Sequence, residues 1–320
     1  MKSTWERAHP FRSAPRINGT IPPVNLRKSI TMTAVRTLAR LLTLIPVAAS
    51  LAACSTFFEP AGAPRKETVF AVTASNRLVS FNAGQPRKLL SDKRLSGLQP
   101  GETLIGIDYR VARGDLYGLG STGRLYLIDT DKASASAVGS PLAVALEGSE
   151  FGFDFNPTVD RIRVVSDRGQ NLRLHPDTGA VVDADPARDG VQVDGPLAYP
   201  DGSAVRIVSA AYTYNKRDPK ITTNYAIDSQ GWLVMQGSKE GTLPAVSPNT
   251  GQLTKVGSLG AGSFERAAFD ISDVSDAAFV ATQAGNGASR LHLVDLASGS
   301  ATFIGTIGTG EPVLGIAIEP

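Results

Sequence analysis

A short alternating pattern recurs five times along the chain and is its clearest structural signal. Each copy has the order small, apolar, central residue, apolar, polar, and in three copies the central residue is aspartate. Apolar positions with a period of two indicate a β-strand. The copies are GIDYR (106–110), GFDFN (152–156), AYTYN (211–215), AFDIS (268–272) and GIAIE (315–319). Their central residues stand between 46 (108 to 154) and 59 (154 to 213) positions apart, so the chain contains a repeating unit.

Each unit predicts four strands. After most copies come a second strand, a turn rich in Gly, Asn or Asp, and a third strand, as in DLYGLGSTGRLYLIDTD (115–131). A fourth strand often ends in Val-Gly or Ile-Gly, as in SAVGS (136–140) and TFIGT (302–306). Units of this length and composition are typical of propeller blades. The sequence therefore predicts an all-β fold, a five-bladed β-propeller of four-stranded antiparallel blades.

The two ends of the domain supply complementary pieces of one blade. ETVFAVTASNRLVSFNAGQ (67–85) predicts second and third strands without a first, and VLGIAIEP (313–320) predicts a first strand with nothing after it. Pairing the two completes a blade and leaves no open end in the ring. We therefore expect residues 67–320 to form one propeller, closed by the C-terminal strand completing the N-terminal blade.

The longest motifs of the chain resemble a known bacterial family. TLIGIDYRVARGDLYGLGSTGRLYLID (103–129) and EFGFDFNPTVDRIRVVSDRGQNLRLHPDTG (150–179), followed by YAID (225–228), are similar to secreted proteins catalogued as domain of unknown function 4394. The resemblance covers residues 68–319. It implies an exported, propeller-like protein and implies no activity.

The N-terminal region carries the features of an export signal. Leu41–Ala53 is an apolar stretch of 13 residues, preceded by Arg36 and Arg40 and too short to span a bilayer. It ends in Leu-Ala-Ala-Cys, which resembles the bacterial lipobox and predicts lipidation of Cys54. We expect residues 1–53 to be a leader whose true start is Met32, and residues 54–66 to be the lipidated cysteine and its tether.

Acyl chains on Cys54 would anchor the protein to a membrane. Because Ser55 follows the cysteine, the pattern resembles that of lipoproteins sent to the outer membrane, facing the periplasm or the cell surface. The leader holds 8 Lys+Arg and 1 Asp+Glu, so the mature chain keeps 24 basic and 29 acidic groups, a net charge of −5. An acidic protein of this kind has no electrostatic basis for binding nucleic acid.

The first candidate site is formed by the equivalent central residues of the five copies. If these copies are the innermost strands, Asp108, Asp154, Asp270 and Thr213 lie at one height around the axis, with Ala317 as the fifth member. Three carboxylates and a hydroxyl could hold a metal ion, and oxygen ligands suit Ca²⁺ better than Zn²⁺. In the alternative interpretation, each aspartate bonds backbone groups of a neighbouring strand and fixes the packing of the blades.

The second candidate site is a polar cluster in the blade that contains GFDFN. Where the preceding blade has tyrosines, this blade has three arginines, and arginine forks bind carboxylate, phosphate or sugar groups bidentately. The predicted ligand-binding residues are Asn156, Asp160, Arg161, Arg163, Asn171 and Arg173. The alternative is a solvated blade edge with internal Asp–Arg pairs, which contribute little.

No pattern in the chain predicts a catalytic residue. His175 and His292 belong to different blades and do not form a metal-ligand pair, and no Gly-x-Ser-x-Gly elbow is present. Long connections at 214–224 and 236–251 offer further binding loops or tolerated insertions. We therefore expect a lipid-anchored envelope module that binds or scaffolds an envelope protein, an anionic small molecule or a glycan. The alternatives are a metal-dependent hydrolase of lactones, esters or glycans, and a purely structural envelope protein.

Overall fold

The computed structural model describes Glu59 and residues 62–320. The predicted leader, the start at Met32, the lipidation of Cys54 and much of the tether lie outside these residues. Within the described part of the chain, no helix is long and apolar enough to cross a membrane.

In residues 62–320, nineteen strands form five antiparallel sheets, and each sheet is one blade. Blade 1 consists of β19 (Val313–Ile318), β1 (Thr68–Thr73), β2 (Arg77–Asn82) and β3 (Leu89–Arg94). Blade 2 consists of β4 (Leu104–Arg110), β5 (Asp115–Gly120), β6 (Leu125–Asp129) and β7 (Ser134–Val138). Blade 3 consists of β8 (Phe151–Asn156), β9 (Arg161–Ser166) and β10 (Asn171–Leu174). Blade 4 consists of β11 (Ile207–Tyr212), β12 (Asn224–Asp228), β13 (Trp232–Gln236) and β14 (Leu253–Ser258). Blade 5 consists of β15 (Arg266–Ile271), β16 (Ala278–Gln283), β17 (Arg290–Val294) and β18 (Ala301–Thr306).

The ring closes through the two ends of the domain. Strand β19 pairs antiparallel with β1, with Val69 opposite Ile318 and Val72 opposite Gly315. The innermost strands β4, β8, β11, β15 and β19 are neighbours in that order around the axis, and β19 lies beside β4 again. The predicted five-bladed propeller and its mode of closure are therefore confirmed.

Blade 3 has three strands where the repeat predicts four. After β10, Val181 forms a single bridge with Leu174, and no further ladder follows in this described segment. The carboxylate of Asp183 instead accepts hydrogen bonds from the backbone N–H groups of Asp185 and Gln192. Local bonds of this kind compete with a strand ladder, and Pro186 lacks a ladder donor.

The small first residue of each repeat allows the inner strands to approach closely. A Cβ on Gly152 would lie 2.5 Å from the backbone nitrogen of Ala210, and one on Gly106 would lie 2.6 Å from the Cβ of Phe153. Apolar side chains then fill the spaces between neighbouring blades, as Phe81 of blade 1 and Phe279 of blade 5 do. The core is thus a set of interblade layers, and burial of these layers stabilises the ring.

The layer between blades 3 and 4 departs from this apolar rule. In blades 1, 2 and 5, the residue of the second strand that pairs with the central repeat position is aromatic: Phe70, Tyr117 and Phe279. In blade 4, Tyr225 pairs with Ala211 of the inner strand. In blade 3 this residue is Arg163, opposite Asp154. A buried arginine must satisfy its donors locally, and this requirement produces the polar site described below.

Candidate functional site

The three repeat aspartates converge at the axis of the propeller. Asp108, Asp154 and Asp270 are all buried, and each offers a carboxylate oxygen within 4.8 Å of the others. Each lies on the inner strand of a different blade, as the repeat predicts. We call these three residues the axial carboxylates.

Each axial carboxylate also ties its blade to the next one. Asp108 accepts a hydrogen bond from the backbone N–H of Phe155 at 2.7 Å, and Asp270 accepts one from Ile318 at 2.6 Å. Asp154 accepts one from Tyr212 at 2.9 Å. These are the bonds that the packing interpretation expects, so the axial carboxylates fix the blades whether or not they also hold an ion.

The predicted fourth member of this ring, Thr213, does not belong to it. Phe155 and Ile318, which donate to the axial carboxylates of blades 2 and 5, each directly follow the central position of their own strand. In blade 4, the residue that donates to an axial carboxylate is Tyr212. Ala211 therefore occupies the central position, and the AYTYN copy was placed two residues too late. The hydroxyl of Thr213 instead lies beside the carboxylate of Glu240, at 3.4 Å.

Burial and mutual repulsion favour the protonated forms of the axial carboxylates. Burial raises the pKa values of Asp108 and Asp154 well above the ordinary range, and nearby carboxylates raise them further. Burial and the charge of Asp273 raise the pKa of Asp270 to about 8. The charged neighbours acting on the three are all carboxylates, namely one another and Asp273. The cluster therefore requires protons or a cation to be neutral.

The donor set is compatible with a calcium ion. An ion with oxygen ligands at about 2.4 Å separates opposite ligands by about 4.8 Å, and the three carboxylate oxygens all lie within that distance of one another. Access to such an ion is poor, because none of the three residues is more than 7% exposed. The site is suited to a structural ion or to shared protons rather than to a substrate.

The second site is a cavity of about 350 Å³ between blades 3 and 4. Blade 3 contributes Asn156, Arg161, Arg163 and Arg173, and blade 4 contributes Tyr212 and Asn249. Four of the six predicted ligand-binding residues therefore line one cavity, which we call the arginine cavity.

Arg163 forms the fixed floor of the arginine cavity. Its guanidinium group donates to Asp194 at 2.5 Å, to Asn171 at 2.8 Å and to Asn249 at 2.6 Å, and its Nε donates to the hydroxyl of Tyr212 at 3.2 Å. The side chain is only 2% exposed. These four partners hold a buried cation in one orientation without neutralising the whole cavity.

Asp194 positions a second arginine. Its two oxygens accept a bidentate pair of hydrogen bonds from Arg173, at 2.8 and 2.7 Å. Its Oδ2 also accepts a hydrogen bond from Arg163. Asp194 is buried in the connection between blades 3 and 4. Asp194 is not among the residues predicted from the sequence, because nothing in its local pattern distinguishes it from the other acidic residues of that long connection.

Arg161 is the cation of the cavity without an acidic partner in the described chain. Its guanidinium group donates to the backbone carbonyls of Asp160, at 2.8 Å, and Val159, at 3.4 Å. The lining thus carries three guanidinium groups, of which two share one carboxylate. An anionic group would find one uncompensated charge beside two guanidinium groups that the protein holds in place.

Two predicted ligand-binding residues do not line the arginine cavity. Asn171 is buried behind it, where its side-chain oxygen accepts from Arg163 and from Gln236. Asp160 lies on the other side of blade 3, where it forms a bidentate pair with Arg110 of blade 2. Arg110 also donates to Asp177 at 2.6 Å, so these Asp–Arg pairs join blades 2 and 3, as the alternative interpretation expects.

A wider cleft of about 930 Å³ opens at the opposite ends of the inner strands and was not predicted. Glu150 lines it and forms an ion pair with Arg266 of blade 5 at 2.6 Å. The carboxylate of Asp167 accepts hydrogen bonds from the backbone N–H and the hydroxyl of Ser149. Both of these carboxylates are therefore already engaged by groups of the protein itself.

Comparison with known proteins identifies the family but not the activity. Residues 77–317 match the model of the domain of unknown function DUF4394, and the chain belongs to that family. No curated protein matches the sequence. Among solved structures, the chain is similar to a "putative 6-phosphogluconolactonase" from Bacteroides uniformis, with 12% identity and a TM-score of 0.38. The similarity covers 77% of this chain and 84% of the other, and at this level it carries no argument about activity.

Proposed function

We propose that the propeller is a binding module whose ligand site is the arginine cavity. The observation that carries this proposal is the arrangement of Arg161, Arg163 and Arg173 around one cavity, with a single carboxylate among them. The ligand class that fits is a small molecule with a carboxylate or phosphate group, such as an acidic sugar.

The cavity is preset for such a ligand. Asp194 and Asn171 hold Arg163 in place before any ligand arrives, so little side-chain entropy is lost on binding. The volume of about 350 Å³ lies at the lower end of the range for small-molecule pockets. The hydroxyl of Tyr212 and the amide of Asn156 add polar groups for orienting a sugar or an organic acid.

The setting we propose is the bacterial envelope, with the protein anchored through acyl chains on Cys54. Support comes from the apolar stretch Leu41–Ala53, the Leu-Ala-Ala-Cys ending and the acidic mature chain. Ser55 favours the outer membrane. The propeller would then present the arginine cavity to the periplasm or the cell surface.

The hydrolase alternative is less well supported by the geometry. Metal-assisted hydrolysis needs an ion with an open coordination position that a substrate can reach. The axial carboxylates are buried, and both oxygens of Asp108 and of Asp270 accept backbone hydrogen bonds. A purely structural role accounts for these bonds but gives no reason for the uncompensated Arg161.

The test is titration calorimetry of the protein with glucuronate, galacturonate, citrate and inorganic phosphate. We expect saturable binding of at least one probe, and a loss of about tenfold or more in affinity in Arg161→Ala, which corresponds to about 1.4 kcal/mol. Arg188→Ala is the matched control. Arg188 is an exposed arginine in the connection between blades 3 and 4, and it lies outside the cavity. Equal losses in both variants would show a general charge effect and contradict the proposal.

A further inference from the structure

The described chain begins at a contact between the tether and the outer strand of blade 5. The carboxylate of Glu59 accepts hydrogen bonds from the backbone N–H and from the hydroxyl of Thr306, both at 2.8 Å. The backbone bond, together with the charges of Arg87 and Arg290, lowers the pKa of Glu59. Glu59 therefore remains ionised at neutral pH and fixes the tether at the end of β18.

Cys54 stands five positions before this fixed point. A chain of five residues spans at most about 18 Å even when fully extended. A lipid attached to Cys54 would therefore hold the end of β18 within about that distance of the membrane surface. A tether this short limits the orientations that the propeller can adopt.

The surface at this point is basic and partly apolar, although the mature protein is acidic. Lys88 and Arg290 are exposed, and the guanidinium group of Arg290 lies 4.4 Å from the ring centroid of Phe303. Phe303 is itself 39% exposed. A cation beside an exposed aromatic ring suits the interface between water and anionic headgroups.

Contacts between blades 1 and 5 make this region one continuous surface. The backbone N–H of Gly308 donates to the carbonyl of Pro86 at 3.1 Å, and so places the loop before β3 against the end of β18. We define the junction rim as Glu59, Arg87, Lys88, Arg290 and Phe303. Its three cations and its aromatic residue lie on the two blades that meet at the fixed point of the tether.

We propose that the junction rim rests on the anionic lipid surface of the membrane that holds the protein. This inference depends on the proposed lipidation of Cys54. In a ring of five, blade 3 lies opposite the junction of blades 5 and 1. The arginine cavity would therefore face away from the membrane, where soluble ligands can reach it.

The experiment uses the full-length acylated protein in vesicles of phosphatidylethanolamine and phosphatidylglycerol. A fluorophore is attached at Thr302→Cys, on the exposed part of β18, or at Val191→Cys, in the exposed connection of blade 3. The lipids carry a headgroup quencher. We expect strong quenching at position 302 and little at position 191.

A charge-reversed variant, Lys88→Glu with Arg290→Glu, tests the chemistry of the rim. We expect it to reduce the quenching at position 302 about twofold, and phosphatidylcholine vesicles to have the same effect on the unreversed protein. Equal quenching at positions 302 and 191 on floating vesicles would overturn the inference about the rim alone. A protein that fails to float, and whose Cys54 reacts with the fluorophore, would overturn both the anchor and the rim.

Discussion

Asp154 and Tyr212 are joined by a hydrogen bond of 2.9 Å that crosses from blade 3 to blade 4 and uses one oxygen of the carboxylate. The second oxygen accepts no hydrogen bond from the described part of the chain. Asp154 therefore differs from Asp108 and Asp270, each of which uses both oxygens. At Asp154, mutation can therefore separate the effect of the carboxylate's charge from the effect of its hydrogen bond between blades.

Asp154→Asn should stabilise the propeller at pH 8 in the absence of metal. The amide oxygen can keep the bond to Tyr212, and the amide removes the cost of keeping a buried carboxyl at pH 8 either protonated or charged beside two others. We expect Tm to rise by roughly 2–4 °C, the shift that about 1 kcal/mol produces in a domain of this size. Asp154→Leu loses both the charge and the bond, and a rise in its Tm as well would show that the bond contributes nothing.

Stability should fall as the pH rises from about 5 to about 8.5. The pKa of Asp270 is about 8 in the folded protein against an ordinary value of 3.8, so between these values the folded state binds more protons than the unfolded state. The contribution is present in full below the ordinary pKa and is lost as the pH passes through about 8. Each such proton contributes a slope of at most about 1.4 kcal/mol per pH unit.

The measurement is urea unfolding at several pH values for the wild type and for Asp270→Asn. We expect a flatter pH dependence in the variant. Asp189→Asn is the control, because Asp189 is an exposed residue of blade 3 whose carboxylate forms no hydrogen bond within the described chain. A wild-type free energy of unfolding that increases between pH 5 and 8.5 would contradict the assigned pKa direction.

Calcium should stabilise the protein at pH 8.5 and have little effect at pH 5. Metal ligands must be deprotonated, and protons compete with the ion for the axial carboxylates at low pH. We expect millimolar Ca²⁺ to raise Tm at pH 8.5, a chelator to reverse the rise, and Asp154→Asn to abolish it. An unchanged Tm would show that protons alone neutralise the cluster.

Asp194→Ala should destabilise the protein by about 3–5 kcal/mol, because it leaves Arg163 buried without its acidic partner. The control is Asp92→Ala, which breaks an exposed, solvent-screened pair with Arg77 and should leave the stability nearly unchanged. Chemical denaturation of both variants measures the difference. Similar free energies of unfolding for the two variants would argue against a buried role for Asp194.

Alternation along the strands was sufficient to predict the blades and their closure, because each copy contains an apolar strand of period two. It was not sufficient to place the fourth copy in register. Strand β11 is buried along its whole length, so IVSAAY shows no polar alternation that would distinguish Ala211 from Thr213. The register is fixed instead by the bond from Tyr212 to Asp154, a contact between residues far apart in sequence.

The residues that blade 3 contributes to the arginine cavity were predicted from the sequence. The residues from the connecting segments that bond to them were not. Arg161, Arg163 and Arg173 stand close together in sequence, so their clustering is visible without a structure. Asp194 and Asn249 come from connecting segments, and their role depends on how the blades pack. Asp160 was assigned to the same cluster because its partner Arg110 lies 50 residues away on another blade.

The pairing of β19 with β1 also determines when the fold can form. The inner strand of blade 1, Val313–Ile318, follows the other eighteen strands of the described chain, so the ring stays open until this strand is available. A chain made from its amino end therefore presents an unpaired edge at β1 until β19 has been synthesised, and the ring closes last.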